Sequence, residues 1–320
     1  MSTLSASAVA SARRQRSLMV NQSSQSRLFS GANSSRFSST NTGDRDAEEP
    51  ILVSKLADHV TCIELNRPKS KNAFSLDMAN NMVELLKKLD GDSSVRVVLL
   101  SGAGPDFTSG VDLKSFMTVY KQLQEKEDVA HRAKLLHSMI EKTQAPFKQM
   151  YKFQKPIICV QHGLCLGLGI ELGACSDIRY CSRDVKMAIR EVAIGIAADV
   201  GSLQLMPKLT ANKSLLNELM FTGRYLNADE ALQLGYVSKI FDSKEDAFEA
   251  GLNLARQIAS RSPVAVQGTK RNMRFSQNKS FAEGLEYNAV WNSVMMQGGD
   301  VVKAIGAILN RTDKVDFDDF

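Results

Sequence analysis

The stretch GLCLGLGIELGACSDIRYCSRDVKMAIREVAIGIAADVG, residues 163–201, joins a glycine-rich turn to three carboxylates that stand among small or apolar residues, namely Glu171, Glu191 and Asp199. A charged group in apolar surroundings is costly unless it is paired or hydrogen-bonded. Such acids are therefore either structural partners or proton carriers with displaced pKa values. Three of them beside a glycine-rich turn, a structure that can present free backbone N–H groups, favour a site that moves protons next to a developing negative charge.

Each carboxylate also has a structural interpretation. Glu171 could pair with Arg190 or with another cation, and Glu191 could form a salt bridge at a strand end. Asp199 could cap the helix predicted to begin near Gly201. These alternatives remain open at the level of the sequence.

A second glycine-rich turn lies earlier in the chain. The apolar run Val95–Leu100 predicts a strand covered on both faces, and it leads directly into SGAGPDFTSGVDL, residues 101–113. A strand, a glycine-rich turn and a helix in succession can direct backbone donors at an anion. Alternatively, Gly102, Gly104 and Gly110 serve tight turns only.

Neither turn matches a nucleotide-binding signature. The first lacks the Gly-Lys-Ser/Thr of a P-loop, and Gly167-x-Gly169-x-x-x-Gly173 misses the dinucleotide spacing by one residue. A P-loop site and a Rossmann site are therefore not expected.

The remaining pattern predicts an α/β core followed by helices. Residues 115–153 are helix-compatible with a break possible at Pro146, and a helix near Gly201 is expected to end before Pro207. Strands are predicted at 51–56, 59–65, 95–100, 156–161, 178–181 and 186–189, and helices at 76–89, 213–221, 228–234, 244–261, 264–272, 281–293 and 301–309. The predicted domains are a leader over 1–43, a core over 44–250 and a C-terminal helical region over 251–320.

The positive charge of the chain belongs to its first residues. Residues 1–43 contain five arginines, many serines and no acid, so they account for the whole net charge of +5. An Arg- and Ser-rich leader without acids predicts a mitochondrial transit peptide and a matrix location. The neutral remainder argues against nucleic-acid binding, and no apolar run is long enough to cross a bilayer.

The cysteines and histidines show no metal or disulfide pattern. The five cysteines contain no C-x-x-C pair and lie mostly in apolar runs, which predicts reduced core residues in a reducing compartment. The four histidines form no metal signature. We therefore expect no metal site.

Together, the two turns, the acids and the segment Ser176-Asp177-Ile178-Arg179-Tyr180-Cys181 resemble the crotonase (enoyl-CoA hydratase/isomerase) superfamily over about residues 50–315. The segment from Arg190 to Gly201 is most similar to its dienoyl-CoA isomerases. The resemblance implies a crotonase-like spiral of ββα units, a homotrimer or homohexamer built through the C-terminal helices, an acyl-CoA substrate and no cofactor.

The resemblance also implies roles for individual residues. Backbone N–H groups of Val111 and Leu168 would bind the thioester oxygen, Glu191 and Asp199 would transfer protons, and Glu171 would be the third acid of the pocket. The flanking substrate-binding positions are Ser109, Gly110, Asp112 and Leu113. Two positions depart from the pattern: Leu168 stands where a glycine is usual, and Glu171 stands where dienoyl isomerases have Asp and hydratases have Glu.

Three functions follow from these observations. The first is isomerisation of a 3,5-dienoyl-CoA to a 2,4-dienoyl-CoA in fatty-acid β-oxidation, with Glu191 acting at C2 and Asp199 at C6. The second is hydration of a 2-enoyl-CoA, which has no use for a carboxylate at C6. The third is a non-catalytic crotonase-fold protein that binds RNA, which the neutral body disfavours.

Overall fold

The computed structural model describes residues 49–312 and 315–320 of the 320-residue chain. The predicted leader over residues 1–43 lies outside the described residues. Within them the chain forms eight β-strands, eleven α-helices and two short 3-10 turns.

A six-stranded sheet forms the centre of the fold, with its strands in the order β1, β2, β3, β4, β6 and β8. These strands are β1 (Ile51–Ala57), β2 (Val60–Leu65), β3 (Val97–Gly102), β4 (Ile157–Gln161), β6 (Ile178–Ser182) and β8 (Lys239–Phe241). β1 is antiparallel to β2, and all other neighbours are parallel. A separate parallel pair is formed by β5 (Leu164–Leu166) and β7 (Lys186–Ala188). Parallel neighbours need crossover connections, and the helices supply them, so the α/β prediction is confirmed.

The helices cover the sheet and then continue beyond it. They are α1 (Leu76–Gly91), α2 (Leu113–Gln124), α3 (Val129–Lys152), α4 (Leu168–Cys175), α5 (Ser202–Leu209), α6 (Lys213–Thr222), α7 (Ala228–Leu234), α8 (Lys244–Ala259), α9 (Pro263–Ser276), α10 (Phe281–Met295) and α11 (Gly299–Leu309). Strand–strand–helix units therefore alternate along the core, and the last four helices follow the last strand.

Both faces of β3 are buried, as its apolar sequence predicts. Val98 and Leu100 belong to the larger hydrophobic cluster, which α1 and α4 also enter. Val97 and Leu99 pack on the other face against α8. A Cβ at Gly251 of α8 would lie 3.0 Å from Leu99 Cδ1, so the missing side chain lets the helix approach the sheet closely.

The structure refines the helices predicted from the sequence. Ser75 caps α1 as predicted, because its Oγ accepts a hydrogen bond from Met78 N–H at 3.2 Å. The polar segment over 115–153 lies in two helices, α2 and α3, and Asp128 caps the second by accepting from His131 N–H at 2.9 Å. No break occurs at Pro146, which lies inside α3 and is buried with Phe147. Packing of this face outweighs the one hydrogen bond that a proline removes.

Two strands were missed and one helix end was wrong. The strands β5 and β8, of three residues each, were not predicted from the sequence. The prediction that α5 ends before Pro207 also fails, since the helix continues to Leu209. Thr210 N–H still donates to the Met206 carbonyl at 3.0 Å and Met206 is buried, so the helix keeps its closing bond and its packing.

The predicted boundary between residues 250 and 251 falls inside α8, which packs on the sheet. α9 begins at Pro263, after the sheet-packing helix has ended. The C-terminal tail returns to the core, where the Arg96 guanidinium donates to the Phe317 carbonyl at 2.6 Å and pairs with Asp319 at 2.9 Å.

Candidate active site

The two glycine-rich turns lie side by side. Thr108 in the first turn and Cys165 in β5 form a parallel bridge. Thr108 N–H donates to the Leu164 carbonyl at 2.9 Å, and the Leu166 N–H donates back to the Thr108 carbonyl at 3.1 Å. Because the bridged segments run in the same direction, residues equally far beyond the bridge lie near each other. Val111 and Leu168 are each three residues beyond it.

The backbone N–H groups of Val111 and Leu168 are free among the described residues. Phe74 binds the residues on either side of Val111, since its N–H donates to the Gly110 carbonyl at 2.8 Å and its carbonyl accepts from Asp112 N–H at 3.0 Å. Leu168 opens α4, where N–H groups have no partner within the helix. Both residues line one cavity, so the structure brings together the two residues that the family resemblance implies as backbone donors.

A side chain at position 168 is tolerated because the residue before it makes the sharp turn. Gly167 has φ +47°, in the left-handed region that favours glycine, and its N–H donates to the Ala188 carbonyl at 2.7 Å. Leu168 is then the first residue of a regular helix, and its side chain is buried. The departure from glycine therefore leaves the N–H donor in place.

The flanking predicted residues divide into lining and supporting positions. Leu113 lines the cavity, whereas Ser109, Gly110 and Asp112 do not. Asp112 caps α2 by accepting from Lys114 N–H at 3.0 Å, and it pairs with Arg67 at 2.9 Å. Gly110 has φ +92°, and a Cβ there would lie 2.9 Å from the Leu166 carbonyl oxygen. These residues fix the turn that carries the Val111 N–H.

The cavity is largely apolar and has an empty volume of about 890 Å³, part of which is open to solvent. Its apolar lining includes Phe74, Leu76, Ala79, Phe116, Val119, Met139, Ile140, Ile194, Ile196 and Val200. Two carboxylates, Glu191 and Asp199, interrupt this lining. A hydrophobic pocket with a few convergent polar groups is typical of a site for an apolar ligand that undergoes chemistry.

Glu191 lies at the edge of the second glycine-rich turn. It opens a short 3-10 turn after β7, and a Cβ at Gly167 would lie 2.7 Å from Glu191 Oε1. The other oxygen, Oε2, is buried without a hydrogen-bond partner. Burial, and then the charge of Asp199, raise the pKa of Glu191. No ion pair holds this carboxylate in the described part of the chain, so the salt-bridge interpretation is wrong.

Asp199 enters the cavity from the loop before α5. The residue that caps α5 is Gly201, without a side-chain hydrogen bond, so the N-cap interpretation of Asp199 is wrong. Its backbone is fixed instead by Gln144 of α3, whose Nε2 donates to the Asp199 carbonyl at 2.6 Å. Burial raises the pKa of Asp199 above its ordinary value. A carboxyl with a raised pKa retains its proton more readily, as a general acid requires.

Glu171 lies behind the cavity and does not line it. Its side chain on α4 is fully buried, Oε1 accepts a hydrogen bond from Ser202 Oγ, and Oε2 has no partner. The alternative in which Glu171 pairs with Arg190 or another cation is wrong, because one carboxyl oxygen binds Ser202, the other has no partner, and the Arg190 guanidinium lies over the Tyr225 ring. Burial, and then the charge of Glu191, raise the pKa of Glu171 to about 8. At neutral pH it is therefore mostly uncharged and adds little negative charge beside Glu191.

This buried carboxyl makes protein stability depend on pH. The pKa of Glu171 rises from 4.5 to about 8 on folding. The stabilisation that this carboxyl gives the folded state is therefore fully present below pH 4.5 and is lost as the pH rises through 8. The expected loss is on the order of 5 kcal/mol of unfolding free energy. Urea titrations of wild-type protein and Glu171→Gln at several pH values should therefore differ in slope between pH 5 and 8. Glu84→Gln, at a side chain that is 74% exposed, should retain the wild-type slope; parallel curves for wild type and Glu171→Gln would contradict the assignment.

The sequence analysis missed three residues that shape the site. Gly167 accommodates the Glu191 carboxylate, Gln144 holds the Asp199 backbone and Ser202 binds Glu171. Gly167 was visible as part of the turn, whereas the partners of Gln144 and Ser202 are 55 and 31 residues away. No local pattern indicates such contacts. Lys69 and Lys71, basic residues of the segment Arg67-Pro68-Lys69-Ser70-Lys71 that the sequence offers for binding CoA phosphates, are exposed, and the Lys71 carbonyl accepts from Ser109 N–H at 2.8 Å.

Three further findings concern residues 49–312 and 315–320. No three His, Cys, Asp or Glu side chains come together there in a metal-binding arrangement. All five cysteines are buried and free of disulfides, as predicted. None of the helices in these residues has the length and apolar character needed to cross a membrane.

This geometry agrees with what comparison with known proteins shows. The family model for enoyl-CoA hydratase/isomerase matches residues 55–314, and the chain belongs to that family. It is 42% identical over 265 residues to the rat protein named Delta(3,5)-Delta(2,4)-dienoyl-CoA isomerase, mitochondrial, covering 83% of this chain and 81% of the rat protein. The peroxisomal isomerase of the same name from Arabidopsis thaliana is 38% identical, over 76% of this chain and 87% of its own length.

A solved structure gives the same fold. The structure of a "probable enoyl-CoA hydratase/isomerase" from Mycobacterium abscessus superposes with a TM-score of 0.73 at 26% identity, covering 86% of this chain and 100% of the other. The crotonase-like fold class predicted from the sequence is therefore confirmed.

Proposed function

We propose that this protein isomerises 3,5-dienoyl-CoA to 2,4-dienoyl-CoA in fatty-acid β-oxidation. One observation carries the proposal: Glu191 and Asp199 line the same apolar cavity as Val111 and Leu168, whose backbone N–H groups have no hydrogen-bond partner in the described residues. The similarity to proteins named dienoyl-CoA isomerase, at 42% and 38% identity, supports the same activity. The acyl thioester is the substrate, so coenzyme A enters as part of the substrate.

The first step is removal of a proton from C2. That proton is acidic because it is both α to the thioester and allylic, and its loss gives a dienolate with charge on the thioester oxygen, C4 and C6. The N–H groups of Val111 and Leu168 stabilise the oxygen, and one such donor typically contributes about 3 kcal/mol to barrier lowering. Glu191 is assigned to C2 because its carboxylate lies against Gly167, directly before the Leu168 donor.

The second step is protonation at C6. Asp199 is the other carboxyl of the cavity, and its raised pKa suits a group that arrives protonated and gives its proton to carbon. The electron pair of the new C6–H bond comes from the dienolate, and the product has the 2,4-diene. Nothing is oxidised or reduced, so this chemistry requires no redox cofactor.

Hydration of a 2-enoyl-CoA is the alternative enzymatic activity. A hydratase requires two acids that hold a water molecule against the substrate, and Glu171 would have to be the partner of Glu191. The full burial of Glu171 outside the cavity lining disfavours that role. Ultraviolet absorbance with a 3,5-dienoyl-CoA should show growing conjugation, whereas a 2-enoyl-CoA should remain unhydrated. Hydration of the second substrate without isomerisation of the first would overturn the proposal.

The contact between Gly167 and Glu191 gives a direct prediction. Gly167→Ala would place a Cβ 2.7 Å from Glu191 Oε1 and so displace the base, and a misplacement on the order of 1 Å can lower the rate about a hundredfold. The matched control is Gly235→Ala, at φ +79° with no atom within 4 Å of the added Cβ. The control also places an alanine at a positive φ, without the contact, so its dienoyl-CoA isomerisation rate should stay near that of wild type. Equal losses in both variants would show that the positive φ, and not the contact with Glu191, is responsible.

A homotrimer or homohexamer is the proposed assembly. Helices α10 and α11 expose many large apolar side chains, namely Phe281, Leu285, Val290, Val294, Val302, Ile305, Ile308 and Leu309. Exposed apolar surface of this extent marks an interaction site, and symmetric self-association would bury it. Light scattering after size-exclusion chromatography should give three or six times the chain mass of 35.2 kDa, less any leader removed.

The mitochondrial matrix is the proposed location. The acid-free, arginine-rich residues 1–43 support it, as do animal relatives that are named mitochondrial. A relative from Arabidopsis is named peroxisomal, so the leader decides the question. Fusion of residues 1–43 to a fluorescent protein should direct it to mitochondria, and a cytosolic signal would contradict the proposal.

A further inference from the structure

A second open cavity reaches Asp199. It runs between α3 and α5, has an empty volume of about 1010 Å³ including space open to solvent, and is lined by Asp199 and Val200, which also line the reaction cavity. We call it the α3–α5 groove. Its lining includes apolar residues such as Phe147 and Leu205 and the polar residues Gln144, Tyr151, Lys148, Lys152, Gln204 and Lys208, of which the last four are exposed.

After one turnover of the proposed reaction, Glu191 and Asp199 each have the protonation state opposite to the one that the next turnover requires. Breaking the C2–H bond transfers a proton to Glu191, and forming the C6–H bond takes a proton from Asp199. The isomerised product carries no net change in protons, so the protein ends each turnover with Glu191 protonated and Asp199 ionised. Before the next turnover Glu191 must release one proton and Asp199 must gain one.

We propose that the α3–α5 groove is the route by which water returns a proton to Asp199. This inference rests on the proposed isomerase function and adds a step to it. A water molecule in the groove gives its proton to the Asp199 carboxylate, and the resulting hydroxide is neutralised by the proton that Glu191 releases to solvent. Water is regenerated and the protein is reset, without any additional reactant.

The two cavities differ in a way that supports this division. The reaction cavity has an apolar lining, and an acyl chain bound there excludes water from it. The groove has lysine and glutamine side chains along both helices, and polar partners are what ordered water requires. The charged groups around Asp199 are Lys148, Lys152 and Lys208 on the groove side and Glu191 within the reaction cavity. Glu171 is fully buried behind the reaction cavity, close enough to Glu191 for the charge of Glu191 to raise its pKa.

The test is to fill the groove without touching the reaction cavity. Gln204 is exposed on α5 and lines only the groove, so Gln204→Trp should obstruct water there. The matched control is Leu203→Trp, at the neighbouring residue, which is 43% exposed and lines neither cavity. Both variants are read by single-turnover formation of the 2,4-diene and by steady-state kcat, in H2O and in D2O.

We expect Gln204→Trp to keep the single-turnover rate of wild type, because the first proton is already on Asp199. Its steady-state kcat should fall about tenfold and show a larger solvent isotope effect. The reason is that return of a proton to Asp199, rather than breaking or forming a C–H bond, then limits turnover. Leu203→Trp should match wild type in both measurements. A small permeant acid such as formic acid should restore part of the lost kcat.

Other outcomes would overturn the inference. An unchanged kcat in Gln204→Trp would show that Asp199 regains its proton through the reaction cavity after product release. A loss that appears in KM and grows with acyl-chain length would show that the groove holds the acyl chain. A wild-type protein without dienoyl-CoA isomerisation would instead remove the proposed function, together with the step built on it.

Discussion

Asp199→Asn should stop migration of the diene while leaving removal of the C2 proton intact. The amide keeps the shape of the side chain but cannot deliver a proton to C6, and a positioned acid typically contributes a hundredfold to ten-thousandfold. We therefore expect formation of the 2,4-diene to fall by about that factor. Exchange of the C2 hydrogen with D2O, followed by NMR of recovered substrate, should continue because Glu191 and the Val111 and Leu168 donors remain.

The control for this variant is Asp58→Asn. Asp58 has a side chain that is 91% exposed and pairs only with Lys55 in the described residues, so the same chemical change there should leave both measurements at wild-type values. Loss of C2 exchange in Asp199→Asn, with diene migration lost as well, would reverse the two assignments and make Asp199 the base.

Glu191→Gln should abolish both C2 exchange and diene migration. Without a base at C2 no dienolate forms, so Asp199 has nothing to protonate. The expected loss is again about a hundredfold to ten-thousandfold in each measurement. Glu84→Gln, at a side chain that is 74% exposed, provides the matched control. Retention of C2 exchange in Glu191→Gln would show that a different group acts as the base.

The pH profile provides a second test of Glu191. A base must be ionised, so kcat/KM should rise with pH through the pKa of Glu191, which burial and the charge of Asp199 raise above 4.5. An acid must be protonated, so kcat/KM should fall as pH rises through the pKa of Asp199, which burial raises above 3.8. The residual activity of Glu191→Gln should lose the rising limb and keep the falling one. A profile in which the rising limb survives would contradict the assignment.

The predictions made from sequence succeeded where a single segment carries the information. The apolar run over 95–100 predicted a strand buried on both faces, and β3 is that strand. Ser75 predicted the start of α1. They failed where packing decides, as at Pro146 and Pro207, because each proline lies in a helix held by buried neighbours.

The candidate site shows the same division. The sequence alone selected Glu191, Asp199 and the two donor turns, and the structure places these residues around one cavity. It also selected Glu171 as a third acid of the pocket, whereas the fold buries that carboxyl behind the cavity against Ser202. The groove beside Asp199 had no sequence signal, since its walls come from α3 and α5.

By itself, the sequence determined the class of fold, the presence of three acids among apolar residues and the presence of two glycine-rich turns, because residue type and local spacing carry those properties. Only the tertiary structure decided which carboxylates share a cavity, which backbone donors remain free and which acid is buried outside that cavity. Those properties depend on burial and on contacts between residues far apart in the chain. The free energies of desolvation and charge pairing depend on which groups are buried and adjacent in the folded chain, so no local sequence pattern specifies them.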